Sequence, residues 1–422
     1  MEQRTARYAE MLKNHIQDSC GGMTRRPSGR LKYPYITPTS PDSPYYSDNL
    51  WDWDSWLAAV VLEQAQADSP ALSFREYERG SVLNFLELCA EDGYMPICVT
   101  PEKDLYIPGI EDMRKTNMHK PVIAQQIASV LQRSDAELSW IKPCVPKLEA
   151  FVNRYFTDFR EAETGLFRWK DDFAVGVDND PAVFYRPADS CGSIYLNSLM
   201  YRELLAMGYL MEMLGNMKKA NAWRLKAQQL RSAIHKYCWD ERDGTFYSVD
   251  FALRPAKEGE WLHSGAPRDY PCLMLRIDCW DSFMPLWAGI CTQEQAERML
   301  LRLRDERTYC CRGGVRTLSR LEKMYDLRAS NNPSNWRGPV WGISNFMVFS
   351  GLVKYGFYED ARQMAEKTVT LFGRDLEQNG CLHEYYDPDS GEPIVTHGFQ
   401  NWNYLVLNMI AWVEGRKYVD TF

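Results

Sequence analysis

The sequence predicts an all-α fold, an (α/α)6 toroid, from the spacing of its apolar residues and the lengths of its links. About a dozen stretches of the chain repeat apolar residues at helical spacing. The links between these stretches alternate between short and long, and a short link joins two helices into an antiparallel hairpin. Six such hairpins, with every long loop at the same end, close into a ring below a funnel of loops. The predicted helices lie near residues 2–16, 52–66, 75–91, 121–134, 137–156, 193–215, 217–238, 283–290, 293–304, 338–354, 358–374 and 401–414.

A glycine followed by an apolar residue ends several predicted helices and divides the chain into units of similar length. The segments are EDGYMPI, ETGLFRW, RDGTFYS, RGGVRTL and QNGCLHE, spaced about 65 to 80 residues apart. An open α-solenoid has shorter repeats without long loops, so the spacing favours the ring. With no linker or low-complexity segment, we expect residues 1–422 to form one domain.

Composition and charge exclude several classes of protein. The chain is 45% hydrophobic and 25% charged, as expected of a globular protein. Its net charge of −8, without a basic stripe, argues against a nucleic-acid partner. The N-terminal segment MEQRTARYAEMLKNH lacks the apolar core of a signal peptide, and no apolar run is long enough to span a membrane. We therefore expect a cytoplasmic protein; the sequence does not indicate its oligomeric state.

Cysteine and histidine usage predicts neither a metal site nor another cofactor. The 12 cysteines are scattered and form no CxxC motif, which favours reduced, mostly buried thiols. None of the six histidines has HExxH or HxH spacing. We expect no metal and no cofactor.

The first candidate site residues precede the helix predicted at 52–66. The segment SPYYSDNLWDWDSW places Trp51 and Trp53 beside Asp52 and Asp54. An aspartate at a helix start is commonly an N-cap. Two flat aromatic rings beside carboxylates also suit a sugar, which has an apolar face and polar edges. We predict that Trp51, Trp53 and Asp54 bind substrate.

The second and third long loops contribute further candidates. His119 and Lys120 precede Pro121, where a helix can begin; they either line the funnel or are structural. The third loop, WKDDFAVGVDNDPAVFYRPADSCGS, contains Asp178 and Arg186. Asp178 fits either an Asx-turn or a general acid. The second role requires a raised pKa, which burial and a neighbouring carboxylate would supply.

The fifth long loop ends in the segment NNPSNWRGPVW. Trp336, Arg337, Gly338 and Trp341 lie there, at the start of the helix predicted at 338–354. An arginine at this position would clamp a pair of hydroxyls or hold a carboxylate. We predict that these four residues bind substrate.

The sixth long loop, CLHEYYDPDSGEPIVTHGFQNWNY, contains Glu384, Tyr385 and Trp402. Its DPDSGE segment does not fit a calcium loop and is more typical of a β-turn. Glu384 is the second candidate catalytic carboxylate, and Tyr385 and Trp402 are candidate substrate contacts.

Asp178 and Glu384 are the two best catalytic candidates because loops three and six stand opposite each other in a six-hairpin ring. Hydrolysis of an acetal needs one carboxylic acid to protonate the leaving oxygen and a second carboxylate to activate water or attack carbon. Opposed loops favour the wide separation, about 6.5–9.5 Å, that leaves room for water in an inverting mechanism.

Four motifs in these loops carry a resemblance to known enzymes: LWDWDSW at 50–56, GVDNDP at 176–181, NWRGPVW at 335–341 and EYYDPDSGEP at 384–393. With them the chain resembles glycoside hydrolase family 63 and, more distantly, the family 37 trehalases. The resemblance implies an (α/α)6 barrel and inverting hydrolysis of a small α-glucoside or α-mannoside. It assigns the general acid to Asp178 and the general base to Glu384. It also implies sugar contacts from Trp53, Asp54, Trp336, Arg337 and Gly338.

The length resembles the compact bacterial members of that family, such as the mannosylglycerate and glucosylglycerate hydrolases, without the extra β-domain of the processing α-glucosidases. After the acid the family usually continues with Ser-Pro-Arg-Trp, where this chain has Asp180-Pro181-Ala182-Val183. We therefore do not extend the resemblance to a glycerate aglycone.

Two other functions remain open from sequence. A sugar epimerase on the same toroid needs a pair of basic residues, and His119, His383 and His397 lie in suitable loops. A non-catalytic sugar-binding protein would not need Asp178 and Glu384 to face each other.

Overall fold

The described part of the chain consists of helices that alternate between an inner and an outer layer. The structure is a computed structural model that describes residues 3–44, 46–103, 105, 110–133, 137–253, 270–328 and 334–422. Its α-helices are α1 (Gln3–Ser19), α2 (Asp52–Asp68), α3 (Arg75–Leu88), α4 (Ile123–Arg133), α5 (Val145–Arg154), α6 (Ile194–Met213), α7 (Met217–Tyr237), α8 (Met284–Ala288), α9 (Gln293–Arg304), α10 (Gly342–Lys354), α11 (Tyr358–Asn379) and α12 (Val406–Val413).

The even-numbered helices form a closed inner ring. Helix α2 packs on α4, α4 on α6, α6 on α8, α8 on α10, α10 on α12, and α12 returns to α2. Helices α2, α6 and α10 are buried on several faces, as their all-round apolar sequences require. Outer helices lie against them, α7 on α6 and α11 on α10. This arrangement confirms the predicted (α/α)6 toroid.

Several helix ends differ from the predicted ones for local reasons. The helix predicted from residue 137 begins at Val145, because residues 142–144 form a 3-10 turn that contains a proline. The helix predicted from residue 338 begins at Gly342, because the two preceding residues form a strand. Helices α8 and α12 follow short 3-10 helices, Trp280–Phe283 and Asn401–Leu405. The short link predicted between 134 and 137 lies mostly outside the described residues.

Short strands pair within the long loops and, in some cases, between them. They are β1 (Thr24–Arg25), β2 (Tyr35–Ile36), β3 (Leu50–Trp51), β4 (Cys98–Val99), β5 (Cys191–Gly192), β6 (Trp239–Asp240), β7 (Thr245–Phe246), β8 (Val249–Asp250), β9 (Leu273–Met274), β10 (Cys310–Cys311), β11 (Gly314–Val315), β12 (Val340–Trp341), β13 (Tyr385–Tyr386) and β14 (Pro393–Ile394). They pair in antiparallel sheets β1–β2, β3–β4, β5–β8–β9, β6–β7, β10–β11 and β12–β13–β14. β12 leads directly into α10 and pairs with β13, so that Trp341 lies opposite Tyr385 and loop five is joined to loop six. β3 and β5 similarly lead into α2 and α6.

Gly380 ends the outer helix α11 and turns the chain into loop six. Its φ of 73° lies in the left-handed region, and its N–H donates to the Leu376 carbonyl at 3.0 Å. Glycine adopts this conformation without the steric cost of a Cβ, which explains the recurrent glycine at this repeat position.

A buried carboxyl group joins two neighbours of the inner ring. Glu203, on α6, accepts hydrogen bonds from the backbone N–H groups of Ala124 at 2.8 Å and Gln125 at 3.2 Å. These groups are in the first turn of α4 and have no partner within their own helix. Burial raises the pKa of Glu203 to about 8, although the two N–H groups favour the charged form.

The structure contains no disulfide among its 12 cysteines, all of which are described. All 12 cysteines are free, and most of them are buried. Among the described residues, no helix combines the length and the apolarity needed to cross a bilayer.

Glu203 should make stability fall as pH rises through the neutral range. Because its pKa rises from an ordinary value of 4.5 to about 8 on folding, the native state holds the extra proton between these pH values. This group's contribution is complete below the lower value and is lost as pH rises through the upper one, by at most about 1.4 kcal/mol per pH unit. Glu203→Gln should flatten the slope of unfolding free energy against pH, measured by urea titration across this range. Glu297→Gln, exposed on α9, is the matched control and should leave the slope unchanged. Equal slopes in the two variants would contradict the prediction.

Candidate active site

A cavity of about 410 Å³ opens at the end of the ring where the inner helices begin. Residues from the starts of α2 and α10 and from the long loops before α4, α6 and α12 line it. Nine of the predicted site residues are among them: Trp51, Trp53, Asp54, Lys120, Asp178, Trp336, Trp341, Glu384 and Trp402.

The two candidate catalytic carboxyl groups, Asp178 and Glu384, line the same cavity. Glu384 is buried, whereas Asp178 is partly exposed. The pKa of Glu384 is raised to about 7, chiefly by burial; a hydrogen bond from Thr396 opposes the shift, and the charge of Asp178 adds to it. The charge of Asp178 therefore acts on Glu384 across one cavity.

Thr396 holds Glu384 through a strained turn. Its Oγ1 donates to Glu384 Oε2 at 2.5 Å. Val395 and Thr396 have φ values of 40° and 46°, a region that β-branched residues rarely adopt. Strand β14 ends immediately before them, and its pairing with β13 ties this turn to the residues that follow Glu384. Strain of this kind persists only where the surrounding structure fixes it, and here it orients a hydroxyl toward a cavity carboxyl group.

Asn179 bonds the loop of Asp178 to the fifth loop. Its Nδ2 donates to Asn335 Oδ1 at 3.0 Å, and its Oδ1 accepts from the backbone N–H of Trp336 at 2.7 Å. The next residue, Asp180, closes the turn by accepting from the Ala182 N–H at 2.8 Å. Asn179 was not singled out from the sequence. The available signal was a second motif with a side-chain amide, NWRG in another long loop, whose Asn335 could bond to it.

Gly176 lets the same loop pass directly over the floor of the cavity, which is formed there by Trp53 and Lys120. Its φ is +89°, and a Cβ there would lie 2.8 Å from both Lys120 Cε and Trp53 Cζ2. No larger residue fits without moving these side chains, so the glycine of GVDNDP sets how closely Asp178 approaches the floor.

An ion pair between Asp52 and Lys120 lies beneath Trp53. The Lys120 Nζ is 3.2 Å from Asp52 Oδ2, and both side chains are buried. The Lys120 N–H also donates to Asp52 Oδ2 at 2.9 Å, and the Trp53 N–H donates to Asp52 Oδ1 at 2.7 Å. The ammonium lies 5.0 Å from the Trp53 ring centroid. These hydrogen bonds offset the cost of removing both charges from water, which the ion pair alone would not do.

Asp54 is held by Asn401, which precedes α12. Asn401 Nδ2 donates to Asp54 Oδ1 at 2.5 Å. Burial raises the pKa of Asp54 to about 8, the charges of Asp52 and Glu384 add to the shift, and Lys120 opposes it. A carboxyl group that keeps its proton at neutral pH presents a donor as well as an acceptor to the cavity. Nothing in the sequence around Asn401 indicated this pairing.

A stack of aromatic rings forms one wall. Trp336 lies on Trp341 with centroids 3.9 Å apart, Trp341 on Tyr385 at 4.7 Å, and Trp280 on Trp336 at 5.9 Å. Trp336 and Trp341 line the cavity although they are 1% exposed. These tryptophans therefore serve the core and the cavity wall at once.

Five predicted site residues lie outside the cavity lining. The His119 ring is enclosed by Phe85 and Phe151, with centroids 4.4 and 5.6 Å away, and burial lowers its pKa to about 4. Tyr385 is buried against Trp341, as described above. The remaining members of this group are Arg186, Arg337 and Gly338.

These three residues have structural partners. Arg186 forms an ion pair with Asp250 at 2.5 Å. Arg337 lies 3.7 Å from Asp326. A Cβ at Gly338 would lie 2.5 Å from the Tyr325 ring, so this glycine allows close packing behind the wall.

The histidines suggested for an epimerase do not line the cavity either. His383 Nδ1 lies 3.1 Å from Asp375, and its ring meets that of His397 edge to face at 5.3 Å. The described lining residues include no histidine.

Comparison with known proteins identifies a family that the chain matches over most of its length. Residues 47–403 match the family model of the mannosylglycerate hydrolase MGH1-like glycoside hydrolase domain. The chain is 24% identical over 404 residues to the mannosylglycerate hydrolase MGH1 of Selaginella moellendorffii, covering 81% of this chain and 76% of that protein. It is 27% identical over 232 residues to a probable trehalase of Eremothecium gossypii, covering 49% of this chain and only 27% of that protein.

A solved structure shows the same fold. The family 63 mannosylglycerate hydrolase from Thermus thermophilus, in complex with glucose, aligns with a TM-score of 0.65 at 19% identity. The alignment covers 96% of this chain and 99% of that one.

Removing the charge of Asp178 should lower the pKa of Glu384 from its value of about 7, because that charge raises it. We expect this shift in Asp178→Asn, measured by carbon NMR of the glutamate carboxyl groups with Glu384→Gln to assign the signal. Asp189→Asn, at an exposed position of the same loop, should leave the pKa unchanged. A Glu384 pKa that does not move in Asp178→Asn would show that the two groups are not coupled.

Proposed function

Because this chain belongs to the family of MGH1-like glycoside hydrolase domains, we propose that it hydrolyses a small α-glucoside or α-mannoside with inversion at the anomeric carbon. The observation that carries the proposal is the placement of Asp178 and Glu384 on one cavity at the mouth of the toroid. In this proposal residues 1–422 act as a single catalytic domain in the cytoplasm.

Asp178 is the proposed general acid and Glu384 the proposed general base. Asp178 donates its proton to the glycosidic oxygen as the bond from that oxygen to the anomeric carbon breaks. Glu384 takes a proton from a water molecule whose oxygen forms the new bond on the opposite face. An α-glycoside and water thus give a free alcohol and a β-sugar, and no cofactor enters the balance.

The environment of Glu384 supports its role as base. A pKa of about 7 keeps it partly ionised at neutral pH while making it a stronger base than an exposed carboxylate. The Thr396 hydroxyl, which donates to Oε2, stabilises the ionised form and leaves the other oxygen for water.

The sugar should lie against Trp53 and Trp402, whose rings meet at 5.2 Å on the cavity floor. Asp54 would bind a sugar hydroxyl, with Lys120 beneath. Trp51, Trp336 and Trp341 complete the proposed contact surface. Arg186, Arg337, Gly338, Tyr385 and His119 would then support this surface from behind.

The two competing functions find no comparable support. An epimerase needs a basic pair facing the ring, and the described lining residues offer only Lys120, which is paired with Asp52. A protein that only binds sugar does not need a base with a raised pKa beside a second carboxyl group.

Loss of either carboxyl group should slow turnover sharply. We expect Asp178→Asn and Glu384→Gln each to lower kcat by about 10²- to 10⁴-fold, because each removes one proton transfer. The assay is proton NMR of α-glucosides and α-mannosides, which also identifies the first anomer released. Asp189→Asn is the exposed control from the same loop. Near-native activity of both variants, or release of the α-anomer by the wild type, would overturn the assignment.

The pH dependence of turnover should follow the ionisation of Glu384. As the base must be ionised, kcat/KM should fall as pH drops below about 7. Thr396→Val removes a hydrogen bond that lowers this pKa, so the acid limb should move to higher pH. Thr157→Val, at an exposed position, is the control. An acid limb that stays in place in Thr396→Val would assign it to another group.

A further inference from the structure

The cavity is lined by several carboxyl groups and a single ammonium group among the described residues. Its carboxyl groups are Asp52, Asp54, Asp172, Asp178 and Glu384, and the ammonium of Lys120 is the only cationic group among the described lining residues. A ligand that enters this cavity therefore meets more carboxyl groups than cationic groups.

Lys120 is not available to neutralise an anionic ligand. It lies 3.2 Å from both oxygens of Asp52, it is 3% exposed, and its stem is covered by Gly176 and Trp53. Turning the ammonium toward a ligand would leave Asp52 buried without its charged partner, which is strongly destabilising.

The two arginines that the sequence placed near the site are also committed elsewhere. Arg186 is paired with Asp250 at 2.5 Å, and Arg337 lies beside Asp326. Neither lines the cavity. Among the described residues, no guanidinium group lines the cavity.

The carboxyl groups already raise each other's proton affinity. The charges of Asp52 and Glu384 contribute to the raised pKa of Asp54, and that of Asp178 to the raised pKa of Glu384. A ligand carboxylate in the same space would be repelled by those of these groups that are ionised.

We propose that this site takes glycosides with a neutral or positively charged aglycone and discriminates against a carboxylate-bearing aglycone such as glycerate. The inference rests on the proposed hydrolase function, whose substrate it narrows. It departs from the substrate in the family's descriptive name, because the cavity holds no free cation among its described residues to pair with a carboxylate.

Two ligands that differ only in the charged group of the aglycone isolate the effect of that charge on binding. The glycerol and glycerate glycosides of one sugar differ by a hydroxymethyl group in place of a carboxylate. We would measure binding of their thio-linked analogues, which resist hydrolysis, by calorimetry, and turnover of the oxygen-linked pair by NMR. The neutral ligand should bind at least about tenfold more tightly.

The binding and turnover measurements test the charge preference and the hydrolase function separately. Equal binding, tighter binding of the glycerate ligand, or no binding of either would overturn the charge inference. Failure to cleave any α-glucoside or α-mannoside would overturn the hydrolase proposal, and the binding ratio would still decide the charge question.

A variant tests the origin of the preference. Asp172 lines the cavity and accepts from the Tyr185 N–H at 3.1 Å, a bond that asparagine's oxygen can keep. Asp172→Asn should narrow the binding ratio between neutral and anionic ligands. Asp189→Asn removes an exposed carboxylate of the same loop, at a φ of 58° that asparagine tolerates, and should leave the ratio unchanged. A ratio unaffected by Asp172→Asn would overturn the electrostatic explanation.

Discussion

The buried ion pair of Asp52 and Lys120 fixes the geometry on which the cavity depends. Asp52 begins α2 and Lys120 lies just before α4, so the pair joins the starts of two neighbouring inner helices. Its hydrogen bonds set the backbone of Trp53, and its ammonium lies under that ring. Gly176 then brings the loop of Asp178 against both residues. A buried pair of this kind adds little net stability, but loss of one partner costs about 3–5 kcal/mol.

The fold and the catalytic candidates were predictable because they depend on periodic patterns and on topology. All-round apolar helices such as α6 must be buried, and alternating link lengths place the long loops at one end. Ring closure then brings Asp178 and Glu384 onto one cavity. The sequence could not predict which way a side chain points: His119 lies between two phenylalanines, whereas Lys120 beside it lines the cavity. Contacts such as Asp54 with Asn401 join distant segments and have no local signal.

The cavity concentrates features that oppose stability. Residues 395 and 396 are held in a rarely adopted backbone conformation, and several carboxyl groups are buried with raised pKa values. The aromatic stack of Trp280, Trp336, Trp341 and Tyr385 offsets part of this cost, since each ring buries a large apolar surface. Functional sites commonly combine a strained, charged centre with well-packed side chains around it, because function is obtained there at a cost in stability.

The closure of the inner ring has a consequence for the order of synthesis and assembly. Asp54 and the amide that holds it are separated by 347 residues, and α12 completes the ring by packing on α2. Contacts between such distant segments carry an entropic cost of loop closure and form slowly. While the ribosome is still producing α10 and α11, the earlier hairpins can already be paired, but the cavity lacks its last wall. The cavity is therefore complete only once residues 401–413 have packed against the start of the chain's first inner helix.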